Sequence, residues 1–142
     1  MASYDDPNPS ALHGLPEPRP SALSAPHWSG CQRGELQVQR CNNCDHHEFP
    51  PQPVCSHCQS NDLRWVSSSG KGTLYSFTVI HRPQRPEFEV PYVAAIVELE
   101  EGWHMLSNII DCDIDSLAIG QPLVVTFEER GQSALPMFKP AN

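Results

Sequence analysis

The chain has 142 residues, of which 39% are hydrophobic, and nine Lys and Arg against seventeen Asp and Glu give a formal net charge of −8. This length allows one or two small domains, and the charge argues against a nucleic-acid-binding protein, because such proteins cluster Lys and Arg against phosphates. No run approaches the roughly 20 consecutive apolar residues of a membrane span, and the N-terminus lacks the basic start and apolar run of a secretory signal. We therefore expect a cytoplasmic protein that neither crosses a membrane nor binds nucleic acid.

The charge is unevenly distributed along the chain. Residues 33–85 contain six basic and four acidic residues, whereas residues 87–130 contain ten acidic residues and one basic residue. The acidic second half argues against a nucleic-acid groove there, while the first half retains enough positive charge to hold one small phosphorylated ligand.

Residues 1–25 are predicted to form a proline-rich arm. Frequent prolines interrupt helices and strands, and few apolar residues are available to bury, so we expect an arm that is disordered or ordered only by a partner. In the segment that follows, Gly30 and Gly34 limit any helix to a turn or two. Trp28 and Leu36 are its apolar anchors, for the body of the protein or for a partner interface.

Four cysteines in the next segment have the spacing of a metal site, C-x₂-C-x₁₀-C-x₂-C. They are Cys41, Cys44, Cys55 and Cys58. Two residues between cysteines let one turn present both sulfurs, and two such turns supply the four thiolates of a closed tetrahedral zinc site, which is structural because no coordination position stays open. With a strand predicted at residues 38–41 and a return strand at residues 63–66, residues 26–69 are predicted to form a short helix and a zinc ribbon.

Other interpretations of the cysteine array stay open on the sequence alone. Disulfides are disfavoured in a chain without a secretory signal, and a thioredoxin-like redox pair is disfavoured because the motif occurs twice at this spacing. A rubredoxin-like iron site would use the same ligands. His46, His47 and His57 lie close by, but with four cysteines in register we interpret them as neighbours of the site rather than ligands.

The sequence contains no arrangement of residues typical of a catalytic site. It has no Gly-rich phosphate loop, no nucleophile elbow and no metal-binding His pair on a helix. Cys31 and Cys112 fall outside the array, and we interpret both as buried or partly buried free thiols, since nothing marks an activating base for either. Glu98, Glu100 and Glu101 are interpreted as a solvated turn.

From residue 72 the apolar pattern becomes that of β-strands. The predicted strands lie at residues 72–80, 92–99, 103–110, 122–129 and 135–139. Asp113 begins a helical turn before the fourth strand. Five strands with such a turn are typical of a small OB-type Greek-key barrel, although a split β-sandwich would give the same string. Residues 70–142 are therefore predicted to form a second domain, which makes the chain mainly β.

Short motifs along the chain resemble a known family in their order and spacing. They are Trp28, Gly34-Glu35-Leu36, Gln39-Arg40-Cys41-Asn42-Asn43-Cys44, Phe49-Pro50-Pro51, Val54-Cys55-Ser56-His57-Cys58, Gly70-Lys71-Gly72-Thr73-Leu74-Tyr75-Ser76, Pro91-Tyr92-Val93, Val97-Glu98-Leu99-Glu100-Glu101-Gly102, Ile119-Gly120-Gln121-Pro122-Leu123 and Leu135-Pro136-Met137-Phe138. This set resembles the DUF35 family over residues 26–140. Family members join a rubredoxin-like zinc ribbon to an OB-fold. Many of them have a glycine where this chain has Asp45, which affects the turn after the first cysteine pair but not the ligands.

The resemblance implies a noncatalytic subunit rather than a free-standing enzyme. It implies a hetero-oligomer with a thiolase-superfamily enzyme acting on acyl-CoA, such as a thiolase, an acyltransferase or a lipid-transfer-protein-like aldolase, in which this chain helps to form the CoA site. Contacts to the CoA phosphates are then expected from the basic residues of the less acidic half. These are Arg33, Arg40, Lys71, Arg82 and Arg85.

Three alternative functions remain open at this point. The alternatives are a subunit of a hotdog-fold enoyl-CoA hydratase, a stand-alone acyl-CoA-binding protein, and a nucleic-acid-binding OB protein with a zinc ribbon. The acidic second half and the net charge of −8 disfavour the last of these.

Overall fold

The computed structural model describes residues 14–141, so the prediction for the first thirteen residues of the arm lies outside the described part of the chain. The elements are α1 Ala25–Gln32, β1 Gln37–Cys41, β2 His47–Glu48, β3 Leu63–Ser67, β4 Lys71–Ile80, β5 Tyr92–Leu99, β6 His104–Ile109, a 3-10 turn Ile114–Ser116, β7 Pro122–Arg130 and β8 Ser133–Pro140. The predicted mainly β architecture with a short N-terminal helix is confirmed. Within residues 14–141, no helix has the length and apolar character needed to cross a membrane.

The ribbon is a three-stranded antiparallel sheet in the order β2-β1-β3. Strand β1 is central and pairs over its whole length with β3, from Gln37 opposite Ser67 to Cys41 opposite Leu63. The predicted strands on either side of the cysteines are confirmed, and each is one residue longer than predicted, at one end. Strand β2 was not predicted, because two residues are too few to show an alternating pattern.

The second half of the chain is a closed barrel in the strand order β4-β5-β6-β8-β7, with β4 also paired to β7. All neighbours are antiparallel except β6 and β8, which run parallel where Ile109 pairs with Phe138. Asp113 caps the 3-10 turn before β7, since its side chain accepts a hydrogen bond from the backbone N–H of Asp115. This is the five-stranded OB topology, and its closure rules out the split sandwich.

Ribbon and barrel share one hydrophobic core. Leu36 and Val38, which precede the cysteines, are buried together with barrel residues, and Phe138 at the centre has no exposed surface. A row of rings also joins the parts, because Phe49 of the ribbon lies 5.4 Å from His27 of α1 and 5.2 Å from Trp103 of the barrel, measured between centroids. The ribbon is therefore held in place by packing as well as by its linker.

The described end of the proline-rich arm, residues 14–24, lies against the barrel. The Arg130 guanidinium donates a hydrogen bond to the Pro16 carbonyl at 3.1 Å. Next to it, the Gln32 amide donates to the Gln132 carbonyl at 2.7 Å and ties the end of α1 to the β7–β8 turn. An arm that is disordered or ordered only by a partner therefore stays a prediction, and residues 14–24 also contact their own barrel. The contact is possible because the backbone carbonyls of the arm, which prolines leave intact, accept hydrogen bonds.

Candidate metal centre and its surroundings

The four predicted zinc ligands converge on one point. Their sulfur atoms all lie within 4.8 Å of one another, with Cys41 Sγ 3.6 Å from Cys58 Sγ and Cys44 Sγ 3.7 Å from Cys55 Sγ. Tetrahedral zinc with Zn–S bonds of about 2.3 Å places its sulfurs about 3.8 Å apart. A disulfide would need about 2.05 Å, and all four thiols are free. The donor set therefore fits a structural zinc ion.

Each cysteine pair forms a knuckle in which backbone N–H groups point at sulfur. The N–H groups of Asn43 and His57 donate to Cys41 Sγ and Cys55 Sγ, each at 3.4 Å. The Asn43 side-chain amide adds a third bond, to Cys58 Sγ at 3.4 Å. Such donors spread the negative charge of thiolates and favour the form that binds metal.

The two knuckles end in the same backbone conformation. Asp45 and Gln59, the residues that follow each pair, both have φ of 64°, in the left-handed region that favours glycine. Asp45 tolerates this conformation better than most residues, and its carboxylate lies 3.2 Å from the Arg40 guanidinium. The departure from a glycine at this position therefore leaves the first knuckle equivalent to the second.

The histidines near the array surround the site without joining it. In the part of the chain that the structure describes, the ligand group consists of the four sulfurs alone. The rings of His46 and His57 stack at 5.4 Å, and burial, together with the charge of Arg40, lowers the pKa of His47. Glu48 fixes the second knuckle from outside by accepting from the N–H and the hydroxyl of Ser56, both at 2.9 Å.

A buried histidine–cysteine pair lies on α1, four residues apart. Cys31 Sγ is 3.7 Å from His27 Nε2, and His27 Nδ1 is 3.3 Å from the Gln37 carbonyl. Because a carbonyl only accepts, Nδ1 carries the proton, and Nε2 accepts from the thiol. Burial raises the pKa of Cys31 to about 11 and lowers the pKa of His27. The pair is therefore neutral, unlike the thiolate–imidazolium pair of a cysteine nucleophile. This pair was not predicted from the sequence, although an i, i+4 spacing on a helix places two side chains side by side.

Glu101 joins the ribbon–barrel linker to the hairpin between β5 and β6. Its carboxylate accepts hydrogen bonds from the Ser68 hydroxyl, from the Ser69 N–H at 3.0 Å and from the Trp103 indole N–H at 3.1 Å. Partial burial raises the pKa of Glu101, but these hydrogen bonds outweigh it, and the net effect lowers the pKa. The interpretation of Glu101 as part of a solvated turn is therefore wrong, because donors more than thirty residues away in sequence converge on it.

Comparison with known proteins assigns the family. Residues 28–64 match the rubredoxin-like zinc ribbon domain of ChsH2, and residues 65–128 match its C-terminal OB-fold domain. A DUF35 domain-containing scaffold protein of Methanothermobacter thermautotrophicus is 41% identical over 101 residues, which are 69% of this chain and 75% of that protein. The chain belongs to the DUF35 family. The resemblance noted from the motifs is thereby confirmed.

Other relatives of this DUF35 protein are subunits of acyl-CoA enzymes. A probable enoyl-CoA hydratase alpha subunit of Thermomonospora curvata is 38% identical over 134 residues, 94% of this chain and 41% of that protein. The benzoylsuccinyl-CoA thiolase subunit BbsA of Geobacter metallireducens is 26% identical over 91 residues, 64% of this chain and 60% of that subunit. This DUF35 protein therefore spans about two fifths of the length of the hydratase subunit.

One solved structure matches both the sequence and the fold of this DUF35 protein. It is the structure of the "Ltp2-ChsH2(DUF35) aldolase", and the matched chain shares 37% identity with a TM-score of 0.81. The match covers 89% of this chain and all of that chain.

The five basic residues predicted to contact CoA phosphates do not form one cluster in this DUF35 protein. Lys71 begins β4 and Arg82 follows its end, so the two residues lie at opposite ends of a ten-residue strand. The other three lie beside carboxylates: Arg33 with Glu35 at 3.3 Å, Arg40 with Asp45 at 3.2 Å and Arg85 with Glu87 at 3.4 Å. The contact of these residues with CoA phosphates stays a prediction.

The two predicted interface residues have different surroundings. Trp28 is half-buried, packs edge-on against His27 at 4.8 Å and lines an open groove on the barrel. Leu36 is only 2% exposed and lies in the core. This corrects the expectation that Leu36 contacts a partner, because its apolar surface is already covered by the chain itself.

Proposed function

We propose that this DUF35 protein is a noncatalytic subunit of a hetero-oligomeric enzyme, in which it binds a thiolase-superfamily catalytic subunit that acts on acyl-CoA. The observation that carries the proposal is the likeness, at 37% identity over the whole matched chain, to a DUF35 chain in a structure titled as an aldolase. The relatives named as a scaffold protein and as a thiolase subunit support the same role.

The chemistry of the chain supports a partner's active site rather than its own. A four-thiolate zinc site has no open position for a substrate. Cys31 is held as a neutral thiol beside a neutral imidazole. Cys112 is half-buried, and burial, followed by the nearby carboxylates of Asp113 and Asp111, raises the pKa of its thiol. Neither cysteine is activated as a nucleophile.

We further propose that the partner supplies most of the CoA site. A contribution from this chain is best placed at Arg82, in the loop between β4 and β5, because the other predicted arginines, Arg33, Arg40 and Arg85, lie beside carboxylates. Neutralising Arg82 in the assembled enzyme should raise KM for acyl-CoA without lowering kcat, because a phosphate contact remote from the reacting carbonyl binds substrate and transition state alike. Lys71→Gln, at the other end of β4, is the matched control.

A second candidate is a subunit of an enoyl-CoA hydratase. The hydratase alpha subunit matches more of this chain than the other relatives described above. Because the match covers only 41% of that subunit, its hydratase activity is not assigned to the shared part.

The test is co-expression with candidate partners. The tagged full-length chain is expressed with thiolase-superfamily and hotdog-fold proteins encoded near it, and the purified material is measured by gel filtration with light scattering. We expect a stable complex with a thiolase-superfamily protein and none with a hotdog-fold protein. The reverse outcome would select the hydratase alternative. A chain that binds acyl-CoA or single-stranded nucleic acid and neither protein would overturn both subunit proposals.

A further inference from the structure

An open apolar groove of about 990 Å³ crosses the barrel surface beside the arm. It is lined by residues that are distant in sequence, among them Leu15 of the arm, Trp28 of α1, Phe88 of the β4–β5 loop and Leu106 of β6. Leu106 is 69% exposed, more than any other large apolar side chain in residues 14–141. Single exposed leucines are ordinary, but an exposed leucine within an apolar groove that also contains tryptophan is typical of an interface.

The lining of the groove is strongly acidic. Its charged residues are the carboxylates of Glu17, Glu87, Glu89, Asp111 and Glu128 and the guanidinium of Arg130. Arg130 already donates to the Pro16 carbonyl, and Arg85, beside the groove, is paired with Glu87. The surface therefore favours an apolar group surrounded by positive charge, and it disfavours CoA, whose phosphates are negative.

We propose that this groove is the docking site for the catalytic subunit, and that the docking segment presents an apolar side chain flanked by Lys or Arg. The inference rests on the proposed function and specifies the surface and the chemistry of the contact. A second copy of this chain is a poorer occupant, because its net charge is −8. Residues 1–13 are poorer as well, since they carry Asp5 and Asp6 and neither Lys nor Arg.

The test compares matched variants of the full-length chain. Leu106→Asp removes the apolar contact, and Ile119→Asp is its control, because Ile119 is 64% exposed and lies outside the groove. A second pair of variants neutralises three carboxylates each. The groove charge variant combines Glu89→Gln, Asp111→Asn and Glu128→Gln. Its control, outside the groove, combines Glu98→Gln, Glu100→Gln and Asp115→Asn. Kd for the separately purified thiolase-superfamily protein encoded near this chain is measured by calorimetry at low and high salt, after circular dichroism has shown that each variant is folded.

We expect Leu106→Asp to weaken binding at least about 30-fold, as for an interface hot spot, and Ile119→Asp to leave Kd within about twofold. Raising the salt concentration should weaken the binding of the wild type more than the binding of the groove charge variant, because salt screens the carboxylates at the rim that attract the partner.

If both aspartate variants bind like the wild type, the groove is not the docking site, while the proposed function stands. If the wild type does not bind, both proposals fail. A wild-type chain that is a dimer on its own and a monomer as Leu106→Asp would give the groove to a second copy and overturn this assignment.

Discussion

Removal of the Glu101 carboxylate tests whether the ribbon is fastened to the barrel as described. Of its three donors, the Trp103 indole N–H belongs to a residue that is only 4% exposed, whereas the Ser69 N–H belongs to an exposed residue and can turn to water. In Glu101→Ala the indole N–H is left buried without an acceptor, which costs about 1–3 kcal/mol, and the charge-assisted bond from Ser68 is lost as well. We therefore expect a loss of about 2–4 kcal/mol, or roughly 8–16 °C in Tm at about 4 °C per kcal/mol for this length.

The assay is thermal unfolding followed by circular dichroism, with Glu100→Ala as the matched control. Glu100 is exposed and lies next to Glu101, so its substitution should change stability by no more than about 0.5 kcal/mol. Because the pKa of Glu101 is lowered on folding, its contribution is present above the ordinary carboxyl pKa and is lost as the pH falls through the folded value. The difference between wild type and Glu101→Ala should therefore shrink on acidification, while the acid sensitivity of the zinc site, common to both, cancels. Equal melting temperatures for the Glu101 and Glu100 variants would refute the reasoning.

Two further predictions concern the cysteines. Cys58→Ser should release the metal and unfold the ribbon, since zinc binding supplies on the order of 10 kcal/mol in small zinc modules. The control Cys112→Ser, which lies outside the cluster, should keep one zinc per chain. Metal analysis that finds stoichiometric zinc in Cys58→Ser would contradict the assignment. Cys31, 1% exposed and with its pKa raised to about 11, should resist alkylation at about pH 8 in the folded, zinc-loaded protein and react once the protein is denatured. Peptide mass spectrometry reads out the modified position, and alkylation of Cys31 in the folded protein faster than that of half-buried Cys112 would show that the pair on α1 is accessible.

The features that the sequence predicts well are those with local signals. The barrel strands were predicted within two residues of their observed ends, from apolar residues that alternate at residues 72–80 and from an almost continuous apolar run at residues 92–99. The convergence of the four cysteines was predicted from their spacing, since two knuckles at C-x₂-C spacing supply the four sulfurs of a tetrahedral metal site. The choice between barrel and sandwich was not local. It depended on the pairing of β4 with β7, which lie about fifty residues apart in sequence.

The features that sequence reasoning missed depend on contacts between distant residues. Two of the three donors to Glu101, Ser68 and Ser69, precede β4 in sequence, so a turn predicted to be solvated is bonded to the ribbon–barrel linker. Leu36 was predicted to anchor its segment on the body or on a partner, and it completes a core made mostly by the barrel. The groove is built from the arm, α1 and the barrel together, and no single stretch of sequence shows it.

The measurement that bears most directly on the central claim is acyl-CoA turnover in three preparations: this chain alone, the thiolase-superfamily partner alone and the two combined. The claim is that the chain completes an enzyme without carrying its chemistry. It predicts no turnover by the chain alone, and higher kcat or greater stability of the partner when the chain is added. That gain should survive Cys31→Ser and Cys112→Ser and be lost with Leu106→Asp. Turnover by the purified chain alone that disappears in Cys31→Ser or Cys112→Ser would contradict it.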